Sequence, residues 1–144
     1  MTSPRTIHAS CVAKEGAGVL LQGPPGCGKS DLALRLLSRG FALIGDDQVQ
    51  VSGGVARAPP ALAGLLEVRG IGIVRLPYTA EARLVLEVEL GQTHPERLPQ
   101  PRRGRFDLPM ITVDPSAASA PERVILALDC ALGRVAQLAG AFKP

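Results

Sequence analysis

Hydrophobic and polar positions follow two periods along this chain, and their order predicts a sheet-rich fold with few helices. Residues 18–22 (GVLLQ) form a short apolar run that ends at a glycine, as a buried strand feeding a turn does. After the turn, Leu32, Leu36 and Leu37 recur at helical spacing within 29–39, and Gly40 supplies a stop. Residues 41–44 form a second apolar run closed by Gly45-Asp46-Asp47. The opening order is strand, glycine-rich loop, helix, strand. Residues 48–55 then alternate around Ser52-Gly53-Gly54 and predict a hairpin, and Pro59-Pro60 opens a short turn or helix reaching Leu66. A strand is expected over 68–76, with glycines at Gly70 and Gly72. Over 83–90, Leu84, Leu86, Val88 and Leu90 alternate with Val85, Glu87 and Glu89, which predicts a strand with one wet face. Residues 91–109 are rich in Pro, Arg and Gly and predict a mobile surface loop. Residues 110–113 make a last short strand. Val124, Leu128, Leu132 and Val135 lie on one face of a closing amphipathic helix expected over 120–138.

Length and composition narrow this to one compact domain over 1–144, in which the expected strands outnumber the helices. Aromatic residues are only 3 % and Trp is absent, so Leu, Val, Ile and Ala must build the core. The net charge of +3 is modest and no basic run exceeds Arg102-Arg103, which argues against a nucleic-acid platform. Cys11, Cys27 and Cys130 are odd in number and lack metal spacing, so neither a disulfide framework nor a zinc site is expected, and a reducing cytoplasm is the simple setting. With no apolar leader core and no stretch of 18 apolar residues, neither export nor membrane spanning is expected.

The chemistry concentrates at Gly23-Pro24-Pro25-Gly26-Cys27-Gly28-Lys29-Ser30, which matches G-x-x-x-x-G-K-[ST] between a strand and a helix. Glycines let successive backbone N–H groups wrap phosphate oxygens, and the helix N-terminus adds favourable partial charge. Lys29 would reach the β- and γ-phosphates and the Ser30 hydroxyl would meet Mg²⁺. Phosphate binding follows from this loop; hydrolysis, transfer or sensing does not. The nearest companion carboxylates, Asp46 and Asp47, stand only 17 and 18 residues beyond Lys29, which is unusual for a GTPase or a nucleoside kinase. Neither an NKxD signal nor an Arg-rich lid is present.

Four segments in order carry a resemblance: His8, residues 23–40 (GPPGCGKSDLALRLLSRG), residues 42–49 (ALIGDDQV) and residues 65–76 (LLEVRGIGIVRL). Together they resemble the catalytic domain of the HPr kinase/phosphorylase family over about 8–113, in its short single-domain form. The resemblance implies a P-loop-containing α/β fold distantly similar to phosphoenolpyruvate carboxykinase. It also implies ATP and Mg²⁺ as cofactors, a serine of an HPr-like phosphocarrier protein as acceptor, and self-association, since long members assemble as hexamers. By the same resemblance Lys29 and the loop hold phosphate, Ser30 and Glu67 hold the metal, and Asp47 with Asp46 beside it takes the proton from the acceptor serine. His8 and Arg97 match other active-site positions, with Arg102, Arg103 and Arg105 as rivals of Arg97. Arg69 belongs to the strip used in both reaction directions. Where longer members carry a Pro, Gly, Arg, Asn segment tied to the phosphorylase reaction, this chain reads 114–121 (DPSAASAP), so the kinase is the half implied. A non-catalytic ATP- or phosphate-sensing module is the alternative, and a small-molecule kinase a third reading.

Overall fold

The computed structural model describes residues 4–91 and 94–143. Ten strands, two α-helices and one short 3-10 helix follow in the order β1 (Arg5–Ile7), β2 (Ala9–Lys14), β3 (Ala17–Gln22), α1 (Lys29–Leu37), β4 (Ala42–Gly45), β5 (Val49–Ser52), β6 (Val55–Arg57), the 3-10 helix (Pro60–Leu62), β7 (Leu65–Val68), β8 (Gly72–Arg75), β9 (Ala82–Leu90), β10 (Met110–Val113) and α2 (Ala120–Ala131). The mixed, mostly β character read from the chain holds. The main sheet runs β1-β5-β6-β9-β3-β2-β4, with β10 added in parallel to β9, while β7 and β8 form a separate hairpin.

One consequence of that order governs the site. A single residue, His8, joins β1 to β2, and Asp46-Asp47-Gln48 join β4 to β5, yet each pair lies far apart in the sheet order. Links this short force the sheet to curl until its ends approach. His8 and the two aspartates therefore meet at the seam, tied by the Ala9 N–H donating to the Asp47 carbonyl at 3.2 Å.

Two apolar clusters fill the two faces of the sheet. Under the helices lie Val19, Leu21, Leu32, Leu36, Leu86, Val88, Val124 and Leu128; on the other face lie Ile7, Cys11, Leu20, Ile44, Val49, Val51 and Leu84. The core is aliphatic, as the composition requires.

Four local expectations need correction. The run at 68–76 is not one strand but a turn at residues 69–71 between β7 and β8, closed by Val68 pairing with Gly72. Helix α2 stops at Ala131 instead of reaching 138, because Gly133 takes φ 76 and closes a Schellman motif: its N–H donates to Cys130 O at 3.1 Å and that of Arg134 to Asp129 O at 2.9 Å. Val135 is consequently exposed rather than on the core face. Strand β9 has no simple wet face. A register shift pairs Gly18 with Leu84 but Val19 with Leu86, leaving Val85 over as a bulge. The bulge sends Leu84 to one face and Leu86, Val88 and Leu90 to the other; Glu87 keeps the face opposite Leu86 and Val88 but is fully buried there. Lastly, residues 102–109 are packed against the sheet. Glu87 accepts from Gln22 Nε2 at 2.9 Å, from Phe106 N–H at 3.1 Å and from Leu108 N–H at 3.4 Å, and Phe106 and Leu108 cover the second cluster.

Candidate functional site

Strand β3 delivers the chain to Gly23, and α1 begins at Lys29, so the loop between them curls at a helix N-terminus. Gly28 has φ 107, and a Cβ there would stand 3.2 Å from the Cβ of Pro115. Only glycine serves both the backbone turn and the close approach of the 114–116 segment. Lys29 is buried and its ammonium donates to the carbonyls of Gly23 at 2.8 Å and Pro24 at 3.1 Å, so the loop encloses its own lysine.

Asp46 closes the floor. It is buried, and Ser30 Oγ donates to both of its carboxylate oxygens, at 2.8 and 3.0 Å. Ser10, from β2, donates to Oδ1 at 2.6 Å. Asp47 follows directly but takes φ 68, which breaks strand alternation and keeps its carboxylate exposed at the seam. There His8 Nδ1 lies 3.3 Å from Asp47 Oδ1. Residues 8 and 10, two apart along an extended segment, thus address consecutive carboxylates.

A cavity of about 550 Å³ opens over this floor. Its lining includes His8, Ser10, residues 25–31, Leu34, Asp47, Glu67, Val68, Arg69 and residues 114–116. The expected residues His8, Lys29, Ser30, Asp47, Glu67 and Arg69 are therefore gathered into one space, with Asp46 beneath. Gly23 and Pro24 form the back of the loop and line a second cavity with Gln22, Glu89, Arg105 and Thr112.

Arg97 is exposed and lies outside the lining of both cavities. Its rivals are engaged elsewhere: Arg102 with Glu89 and Thr112, Arg103 with the Asp107 carbonyl, and Arg105 over the Phe106 ring. The cations of the main cavity are Lys29 and Arg69.

Two contributors lay beyond sequence reasoning. Ser10 carried one signal, its period-two offset from His8, but β2 reads as a mixed ASCVAK segment and no strand is expected there. Residues 114–116 stood out only as the start of the 114–121 segment that departs from the longer members. They reach the loop through tertiary packing, with Arg35 donating to the Pro115 carbonyl at 2.6 Å. Asp114 accepts from the Ser116 hydroxyl and N–H, which holds its carboxyl below the ordinary carboxylate range.

Charge decides what this space can take. Asp47, Glu67 and Asp114 line it, and Asp31 is paired with Arg35 at 3.1 Å. A bare polyphosphate would meet like charge here, whereas one carrying a divalent cation would not. Among the described residues no group of three or more His, Cys, Asp or Glu side chains could hold a metal alone. The donors that are present are hydroxyl and carboxylate oxygens, which suits Mg²⁺ arriving with phosphates and water rather than a closed protein cage. Among the described residues no helix is long and apolar enough to cross a membrane.

The chain is similar to known proteins in sequence and in fold. Residues 1–87 match the family described as HPr Serine kinase C-terminal domain, a span that includes the loop, both aspartates and the Glu67–Arg69 strip. HPr kinase/phosphorylase of Lacticaseibacillus casei is 47 % identical over 75 residues, covering 49 % of this chain and 24 % of that protein. HPr kinase/phosphorylase of Aromatoleum aromaticum is 39 % identical over 114 residues, covering 67 % of this chain and 36 % of that protein. The chain thus spans only about a quarter to a third of the length of these curated relatives. The solved Hpr(Ser) kinase/phosphatase from Coxiella burnetii superposes with a TM-score of 0.74 at 23 % identity, over 90 % of this chain and 98 % of that one, so the two share a fold. With the phosphate loop, the seam aspartates and the β7–β8 strip all inside the matched span, this chain belongs to the HPr serine kinase C-terminal domain family.

Proposed function

We propose that the cavity binds Mg-ATP and passes the γ-phosphoryl group to a serine of an HPr-like phosphocarrier protein, with residues 1–144 acting as one catalytic domain. The observation that carries this is the division of labour between the aspartates. Asp46 is buried and bonded to the loop serine, whereas Asp47 is exposed in the same cavity beside His8. Asp47 is the carboxylate free to accept a proton from an incoming hydroxyl, and His8 steadies it. Lys29 leaves the carbonyls of Gly23 and Pro24 to meet phosphate oxygens, and the freed loop then cradles them with backbone N–H groups. Ser30 and Glu67 would hold the Mg²⁺, whose chemistry is to neutralise charge on the β- and γ-phosphate oxygens. Arg69 adds positive charge at the mouth. Arg97 has a role only if the partner protein or a second subunit brings it to the cavity.

Asp114 stands as an anion on the wall, so a free inorganic phosphate entering for the reverse reaction meets like charge. The kinase direction is favoured because residues 114–121 stand in place of the segment that the resemblance ties to the phosphorylase reaction.

The experiment is to mix the protein with Mg-ATP and an HPr-like protein and look for one phosphoserine by mass. Asp47→Asn should lower transfer by about 10² to 10⁴-fold, the range of a lost general base, while ATP binding survives. Bound ATP with no transfer by the unaltered protein would replace this reading with the sensing module. Brisk pyrophosphate release from phosphorylated partner and inorganic phosphate would overturn the stated direction.

A further inference from the structure

Ser10 is fully buried in β2, paired with Leu21 of β3, where a hydroxyl is costly unless it is hydrogen-bonded. Its one proton goes to Asp46 Oδ1 at 2.6 Å, the shorter of the two serine contacts to that oxygen. The Ser30 proton is shared between Oδ1 and Oδ2 of the same carboxylate. A hydroxyl has one donor and two acceptor lone pairs, so Ser30, having given its proton to Asp46, has only lone pairs left for the cavity. That is the form in which a serine meets a hard cation.

A single donor shared between two carboxylate oxygens does not by itself stop the carboxylate from turning. The second donor does, and it comes from a fixed place: Ser10 pairs with Leu21 across β2 and β3, and β3 leads straight into the phosphate loop. The orientation of Asp46 is thereby referenced to the strand pair that carries the loop.

We propose that Ser10 is a positioning residue for the metal-bearing nucleotide: its buried hydroxyl holds Asp46 so that Ser30 presents its lone pairs to the cation. The inference rests on the Mg-nucleotide reading above. It concerns the metal rather than the phosphates, since Ser10 acts through Asp46 and Ser30 and not through the loop N–H groups.

The test uses the full chain with Ser10→Ala and the near-isosteric Ser10→Cys, the second serving if the first does not fold. ADP affinity is measured without metal by calorimetry, and Mn²⁺ affinity in the ADP complex by electron paramagnetic resonance. Loss of a group that orients a ligand should weaken Mn²⁺ by about tenfold or more, with metal-free ADP affinity kept within about twofold. Unchanged Mn²⁺ binding in the variants overturns the inference, as does an equal loss of Mn²⁺ and of metal-free ADP, which would mean structural support only. An unaltered protein that binds ADP neither with the cation nor without it removes the nucleotide reading itself. One that binds ADP and Mn²⁺ while the variants match it removes only the role of Ser10.

Discussion

Single side chains in this protein owe their chemistry to how deeply the sheet encloses them. Cys11 lies in β2 with no exposed surface, and burial pushes its thiol up from 9.0 to about 12. Cys27 and Cys130 are only half-buried. Because the thiolate is the reactive form, Cys11 should resist thiol reagents in the native protein. Two of the three cysteines should label with a disulfide reagent at neutral pH, and the third only after denaturant is added; three rapid equivalents in the native state would refute this. Stability carries the same mark. Below pH 9 the thiol is neutral whether the chain is folded or unfolded, whereas between about 9 and 12 only the unfolded chain ionises, so the contribution falls as pH rises through that window. The three cysteines are plain in the chain; which one is inert depends on the β2 that the pattern of 9–14 does not announce.

At the scale of elements, β9 joins three strands and one irregular segment, and Glu87 is the joint. Its carboxylate accepts two backbone N–H groups of the 102–109 segment and the amide of Gln22, the residue before the phosphate loop. A Cβ on Gly104 would lie 2.3 Å from that carboxyl, so the segment can close only over glycine. Glu87→Ala leaves buried donors unpaired and should cost about 2 to 4 kcal/mol. Gly104→Ala overpacks the same contact and should cost about 1 to 3 kcal/mol. Urea melts give both figures, and limited proteolysis should show earlier cutting within 94–109 in each variant; full native stability in both would show that the segment is not held by Glu87. The alternation of 83–90 had pointed this glutamate outward. It does lie opposite Leu86 and Val88, but Phe106 and Leu108 of the 102–109 segment cover that face, a closure decided by tertiary packing rather than by the strand's own sequence.

The whole molecule draws its site from residues 8 to 116, so binding at the site should stabilise all of it. A ligand bound only by the folded state adds about 2.7 kcal/mol at a hundred times its dissociation constant. For a domain of this size that corresponds to a rise in Tm of roughly 5 to 10 °C with Mg-ATP. Lys29→Ala should abolish most of the rise, and a Tm that ignores Mg-ATP in the unaltered protein would argue against nucleotide binding. By itself the sequence determined the local features: the aliphatic core, the strand–loop–helix at 18–39, the Asp46-Asp47 pair and the family to which they belong. Each is a short-range pattern, set by backbone conformations and side-chain periods within a few residues. Tertiary structure alone decided that Asp46 is buried and Asp47 open, that Ser10 reaches the carboxylate, that 114–116 walls the cavity and that Arg97 stays outside it. Those outcomes depend on a curled sheet bringing its ends together and on a left-handed residue at 47, which are long-range consequences of packing that no window along the chain contains.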